Sequence, residues 1–144
     1  MLLKIIILVF FITVSILNYR QKRKNIINIK KKTIIFLIIG LFSIVSTYIC
    51  YKFDNSILGY LIVLSAIITI YTFCFYPGIT KNSINIFLGT TPLIKFVDFS
   101  EISKIDLEEN KNNELVLIID VYGNTFKQIY NFKDKDEIEK LLKI

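Results

Sequence analysis

The sequence predicts a membrane α-helical protein with an α+β domain: three transmembrane helices, then a small antiparallel β-sheet or half-barrel closed by a C-terminal helix. Three observations predict this fold class. Hydrophobic residues make up 53% of the 144 residues, and the mean hydropathy is +0.56, both high for a soluble domain. Three long runs in residues 1–76 contain almost no charge. After Pro77, charges recur every few residues and short apolar runs alternate with turn residues.

The first half of the chain contains three candidate membrane spans, at residues 2–19, 33–51 and 57–76. The first contains one charged residue, Lys4, and the other two contain none. At about 1.5 Å of rise per residue, each run is close to the thickness of a hydrocarbon core, roughly 30 Å. Three such runs would leave a soluble protein too little polar surface to cover them. We therefore expect residues 1–76 to form a three-helix transmembrane region.

The first run also has features of a secretory signal, because it is N-terminal and begins with a short segment that contains one Lys. No small-residue cleavage site follows it, however. The residues that do follow resemble the flank of a stop-transfer segment: Arg20, Lys22, Arg23 and Lys24. An uncleaved span is the favoured interpretation, and a cleaved signal is the alternative.

The segment between the first two spans predicts the orientation. It carries seven basic residues and no acidic one: Arg20, Lys22, Arg23, Lys24, Lys30, Lys31 and Lys32. The next connection offers only Lys52 beside Asp54. By the positive-inside rule the basic segment is cytoplasmic, so we expect the N-terminus outside and the C-terminal domain in the cytoplasm of a multi-pass cell-membrane protein. The seven charges either fix this topology alone or also attract anionic lipids.

Small and hydroxylated residues recur at three- and four-residue spacing on the second and third spans. They are Gly40, Ser43 and Thr47 on the second, and Ser65, Thr69 and Thr72 on the third. Such residues allow close helix approach and interhelical hydrogen bonds, so we expect them to pack helix against helix. An ion pathway is the alternative, but it usually requires ionisable groups at depth, which these spans lack. Cys50 ends the second span at its outer side and Cys74 ends the third span at its inner side. Most of the membrane separates them, so they are not expected to pair.

Residues 77–144 are expected to form a separate β domain, which begins at Pro77-Gly78 because this pair cannot continue a helix. Alternating or continuous apolar runs predict strands near residues 84–88, 93–99, 105–107, 115–121 and 125–132. Turn residues separate these runs, among them Gly123-Asn124. The short connections predict antiparallel pairing between the strands.

The last segment is predicted to be an amphipathic helix. Asp134 and Glu137 have the spacing of a capping box at its start. Its apolar face is formed by Ile138, Leu141 and Leu142. We expect this face to cover the open end or face of the sheet.

Three segments of this domain carry a resemblance to bacterial pleckstrin-homology-like (PH-like) domains. They are Gly78-Ile79-Thr80 with Ser83-Ile84, Phe99-Ser100-Glu101-Ile102, and Phe132-Lys133 through Leu142. The order of short strands followed by one helix is similar to that of the PH-like domains attached to transmembrane segments in Gram-positive bacteria. The resemblance covers about half the chain. It implies a half-barrel that contacts a protein or the membrane surface, and it supplies no catalytic residues.

The residue types argue against catalysis and against nucleic-acid binding. The sequence contains no His, the commonest acid-base group and metal ligand near neutral pH. Nucleophile–base pairs, metal-ligand spacings and phosphate-binding loops are also missing from the sequence. We therefore expect no enzyme activity, no catalytic residues, no metal and no cofactor. From Pro77 onward there are nine Lys and eleven Asp or Glu, which provides no basic surface for nucleic acid.

The favoured function is that of a non-enzymatic integral membrane protein whose cytoplasmic domain binds a protein partner or the membrane surface, with the spans as anchor or as a self-association interface. A few PH-like relatives are linked with bacteriocin immunity, so a self-protection protein is one alternative; a neighbouring toxin gene would favour it. The other alternative is an accessory subunit of a membrane transporter or enzyme complex. That role predicts a co-purifying partner.

Overall fold

The computed structural model describes residues 1–110 and 112–142. Three long helices form the first half: α1 is Leu2–Lys22, α2 is Thr33–Phe53 and α3 is Ile57–Phe75. Each is long and apolar enough to cross a membrane, with a hydropathy of 2.2 to 2.3 over its most apolar window. Helices of this kind support a membrane location. α1 and α2 extend beyond the predicted spans 2–19 and 33–51, and α3 ends one residue before its predicted span.

The third helix packs against both α1 and α2. At the end of the bundle far from the sheets, Lys4 of α1 forms an ion pair with Asp54, which follows α2. Ser56 caps α3, because its hydroxyl oxygen accepts a hydrogen bond from the N–H of Gly59 at 3.1 Å. A side chain at Gly59 would collide with the Asp54 carboxylate. This turn therefore holds the ends of all three helices together.

The described residues form seven strands in two antiparallel sheets. The first sheet has the order β1 (Ile27–Asn28), β2 (Gly78–Ile79), β3 (Ser83–Phe87) and β4 (Ile94–Asp98). The second has the order β5 (Lys104–Asn110), β6 (Glu114–Val121) and β7 (Asn124–Asn131). The predicted class of helices followed by an α+β domain is confirmed. The sequence did not predict β1, which comes from the basic segment between α1 and α2.

Strands β6 and β7 form a hairpin with a two-residue turn, since Val121 pairs with Asn124. Both turn residues lie in the left-handed region, Tyr122 at φ 54° and Gly123 at φ 73°. This conformation matches the twist of the flanking strands, and Gly adopts it at little cost. The turn was predicted at Gly123-Asn124, one residue later than it occurs.

The hydrophobic core lies between the two sheets. Buried side chains alternate along β6, as the period of a half-buried strand requires. Helix α4 (Lys135–Leu142) covers the core through Ile138, which is fully buried, with Leu141 and Leu142 packed beside it. The core consists of Ile27, Ile79, Ile84, Ile86, Val97, Leu115, Leu117, Ile119, Val121, Tyr130 and Ile138.

Candidate functional site

The junction between the helices and the sheets is the candidate functional site. Asn18, on α1, is fully buried there. Its Nδ2 donates to Thr72 Oγ1 at 2.8 Å and to the Pro92 carbonyl at 3.0 Å. Its Oδ1 accepts a hydrogen bond from the Ile94 N–H at 2.9 Å. One carboxamide therefore joins two helices to the start of β4.

A second carboxamide cluster joins the end of α1 to the first sheet. Asn25 Nδ2 donates to the Tyr76 carbonyl at 2.9 Å, and Asn25 Oδ1 accepts from Asn85 Nδ2 at 2.6 Å. Asn85, on β3, is fully buried and also donates to the Gln21 carbonyl at 3.2 Å. These hydrogen bonds are partly buried, so they are costly to break because the separated groups regain only part of their hydrogen bonding from water. They hold the sheet against the helix ends.

The seven basic residues lie along this junction and do not form a free loop. Arg20 and Lys22 belong to the last turn of α1, and Arg23 is its C-cap residue. Lys24 follows directly, with its ammonium 5.6 Å from the centre of the Phe96 ring. Lys32 is the N-cap residue of α2. These positions surround the ends of two candidate spans.

Two of the basic residues contact tyrosines at the end of α3. The Lys22 ammonium lies 4.8 Å from the centre of the Tyr76 ring. The Lys31 ammonium donates a hydrogen bond to the Tyr71 hydroxyl at 3.0 Å. A cation over an aromatic face is attracted to the negative face of the ring. These contacts place basic and aromatic groups at one level of the bundle, as is usual where helices leave a membrane.

Lys30 connects the basic segment to the second sheet. Its backbone N–H donates to the Ile129 carbonyl on β7 at 2.6 Å, and its ammonium donates to Glu114 Oε1 on β6 at 2.9 Å. The hydrogen bond from Lys30 lowers the pKa of the Glu114 carboxyl below its ordinary value of 4.5. The segment from Ile27 to Lys30 thus bonds to both sheets and links them on one side.

A partly open cavity of about 420 Å³ lies beside this segment. The helices contribute Ile35 from the first turn of α2, and Phe73 and Cys74 from the last turn of α3. The sheets contribute apolar side chains that include Ile86 of β3 and Ile129 of β7. The volume lies within the roughly 300–1,000 Å³ range of small-molecule sites.

The polar side chains that line the cavity are mainly basic. Lys30, Lys32 and Lys127 contribute to its wall, and no acidic residue does so among the described residues. Lys30 is already paired with Glu114. Within residues 1–110 and 112–142, Lys32 and Lys127 form no ion pair. The Lys32 charge also helps to lower the pKa of Glu114, so it acts on an acidic group without forming an ion pair. The cavity therefore combines an apolar wall with an excess of positive charge among its described residues.

The predicted packing residues of α3 lie at its contact with α1. Ser65, Thr69 and Thr72 are all buried. The Thr69 hydroxyl lies 2.9 Å from that of Ser15 and donates to the Phe11 carbonyl at 3.1 Å. Together with the Asn18–Thr72 bond, these contacts form a row of hydrogen bonds between α1 and α3.

The predicted packing residues of α2 lie mostly away from its contact with α3. Gly40 and Thr47 are exposed, and a Cβ at Gly40 would meet no atom within 4 Å. Ser43 is half-buried and donates to the Ile39 carbonyl of its own helix at 2.7 Å. The more buried side of α2 includes Ser43 and Cys50. Neighbouring residues of a helix point in directions roughly 100° apart, so a predicted face that is wrong by one residue points away from the contact. Spacing alone did not identify that side.

Sequence reasoning missed Asn18, whose carboxamide makes three hydrogen bonds at the junction. The signal was present, because a carboxamide in an apolar run must find partners or leave polar atoms unsatisfied in lipid. The prediction considered only hydroxyls and small residues. Both cysteines are free thiols, Cys50 buried and Cys74 half-buried.

The described part of the chain contains no group of three or more His, Cys, Asp or Glu that could hold a metal ion. Comparisons of the chain with protein-family models, curated proteins and solved structures give no match.

Proposed function

We propose that this chain is a non-enzymatic integral membrane protein whose PH-like domain lies in the cytoplasm and binds a protein partner or the membrane surface. The observation that carries the proposal is the junction. A buried hydrogen bond accepted by Asn18 and a partly buried one accepted by Asn25 join the first sheet to the ends of helices that are apolar enough to span a membrane. A domain held in this way stays within reach of lipid headgroups and of neighbouring membrane proteins, so weak contacts gain from high local concentration.

The PH-like assignment is supported by the arrangement of the strands. Two antiparallel sheets face each other, and a C-terminal helix packs on their shared core through Ile138. The chain departs from the expected half-barrel in one respect, since its edge strand β1 precedes α2 in the sequence. This strand makes the sheet domain continuous with the helical region.

Labelling of introduced cysteines tests the orientation in a background with Cys50 and Cys74 replaced by Ser. Arg23→Cys and Lys52→Cys suit the test, because both positions are exposed and lie at opposite ends of the bundle. A membrane-impermeant maleimide added to intact cells is expected to label position 52, and position 23 only after permeabilisation. The reverse pattern would place the domain outside.

Affinity purification of the full chain in mild detergent tests the interaction role. A protein that copurifies at a fixed ratio, and not with an unrelated three-span protein treated in parallel, identifies a protein partner. If the chain purifies without another protein, is monodisperse and binds vesicles, the result supports binding of the domain to the membrane surface instead. Recovery with neither interaction contradicts the proposal.

Helix α2 favours a second candidate, the accessory subunit of a larger membrane complex. Only 6% of its most apolar window is buried, against 22% for α3. Its large exposed apolar surface is able to contact helices of another protein as well as lipid. This role requires that the chain loses stability when it is expressed without a copurifying subunit.

A further inference from the structure

The wall of the cavity at the junction contains both basic and apolar groups. Lys32 precedes the first turn of α2, and Ile35 follows it by three residues, about 4.5 Å further along the helix axis. Lys127 of β7 lies on the sheet side, and Phe73 of α3 on the helix side. The basic groups therefore come from the start of α2 and from β7, and the apolar groups come from the candidate spans and from the strands.

This combination matches an amphiphile that is anionic at one end and apolar at the other. A free anion would gain nothing from the apolar wall formed by Ile35, Phe73 and the strand residues. A neutral amphiphile would gain nothing from the charges of Lys32 and Lys127, which form no ion pair among the described residues. An anionic phospholipid uses both, and it is present where helices of this composition leave a membrane.

We propose that the cavity binds one anionic phospholipid, with its phosphate between Lys32 and Lys127 and an acyl chain against Ile35 and Phe73. The inference rests on one part of the proposed function, that the helices cross a membrane. It holds for either orientation, because the lipid comes from the leaflet next to the sheets. A reversed labelling pattern would therefore change the leaflet and leave the site intact.

Cys74 allows the site to be observed directly, because its thiol lines the same cavity. The full chain with Cys50→Ser has this single thiol. We expect N-ethylmaleimide to modify Cys74 more slowly in phosphatidylglycerol vesicles than in phosphatidylcholine vesicles. Native mass spectrometry in mild detergent is expected to show one phosphatidylglycerol retained per chain.

The variant Lys32→Gln/Lys127→Gln removes the two unpaired charges. If each of the two lysines contributes the free energy expected for one lysine near anionic lipid, the loss of both predicts about 30-fold weaker retention of phosphatidylglycerol. Arg20→Gln/Arg23→Gln is the matched control, since it removes the same charge from exposed positions that do not line the cavity. Lys127→Gln alone, at an exposed strand position, gives an intermediate loss even if the double variant folds poorly.

Three outcomes would overturn the proposal. Equal protection of Cys74 by both lipids would show that charge plays no part. Equal protection by inorganic phosphate without phosphatidylglycerol would show a site for a free anion. Equal loss of retention in the Arg20/Arg23 control would show only general attraction to an anionic surface. None of these outcomes would alter the topology test.

Discussion

Asn18 donates a hydrogen bond to Thr72 across 2.8 Å, which joins the first helix to the third at the level where the sheets begin. Both side chains are buried, and the same carboxamide bonds the backbone at Pro92 and Ile94. One amide in an apolar run therefore contributes to the position of the domain relative to the helices. This contribution can be measured.

Replacement of Asn18 by Leu is expected to destabilise the protein. The Ile94 N–H would lose its acceptor in a buried site, which costs about 1–3 kcal/mol for each unsatisfied group. Thermal unfolding in detergent measures the loss. Thr13→Val is the control, because Thr13 lies on the exposed side of the same helix. Equal effects of the two substitutions would show that the Asn18 hydrogen bonds contribute nothing specific.

Gly78 is expected to tolerate no larger side chain. A Cβ there would lie 2.5 Å from Asn25 Nδ2 and would also collide with the Ile27 carbonyl. Gly78→Ala should therefore separate β1 from β2 and lower the thermal unfolding temperature. Gly40→Ala is the matched control, since its Cβ meets nothing within 4 Å and Ala favours a helix by about 0.8–1.0 kcal/mol over Gly. A stable Gly78→Ala variant with unchanged hydrogen exchange at Ile79 would contradict the observed pairing.

Those two glycines illustrate how far the sequence predicts the structure. Hydropathy predicted the three helices, because lipid-facing residues are selected for composition over a whole run. Alternating or continuous apolar runs predicted strands β3 to β7 for a similar reason, since at least one face of each strand is expected to be buried. Neither hydropathy nor alternation predicts that Ile27 lies against Gly78, because this contact joins residues that are distant in the sequence. A two-residue strand such as β1 is too short to show a period at all.

The candidate site was partly predictable. The basic residues and their place between two spans were evident from the sequence, and so were the hydroxyls of α3. Pairing of Lys30 with Glu114 was not, because it depends on the register of β6 against β7 and on the path of a segment that looked like a loop. The cavity also depends on that path, since Lys32 and Lys127 are brought to one wall by tertiary contacts.

The ion pair between Lys30 and Glu114 predicts a pH dependence of stability. The Glu114 pKa is lowered in the folded state, so the unfolded state binds more protons as the pH falls. The stabilisation is complete above the ordinary value of 4.5 and is lost as the pH falls below it through the lowered pKa. From about pH 7 to about pH 3, the stability advantage of the wild type over Glu114→Gln should therefore shrink.

Thermal unfolding of both proteins across this range measures the difference. Glu108→Gln is the control, because Glu108 is exposed on β5 and forms no ion pair within the described ranges. Its difference from the wild type measures the effect of removing an exposed carboxylate. A Glu114→Gln difference that changes with pH no more than the Glu108→Gln difference would mean that the ion pair does not form in solution.

The contact between Phe73 and Phe87 provides the last test, because it joins α3 to β3 through side chains alone. The two rings are stacked, with centroids 4.5 Å apart and an interplanar angle of 10°. Phe73→Leu, Phe87→Leu and the double variant form a double-mutant cycle, in which the coupling energy isolates the ring contact. We expect a coupling of about 0.5–1.5 kcal/mol from thermal unfolding in detergent.

Phe10 and Phe11, whose rings are neighbours on α1 with centroids 5.6 Å apart, give a control cycle within one helix. Loss of the Phe73–Phe87 contact should increase hydrogen exchange in β3, whereas the control cycle should leave β3 unchanged. A coupling near zero, with unchanged exchange in β3, would mean that the carboxamide bonds alone hold the sheet to the helices.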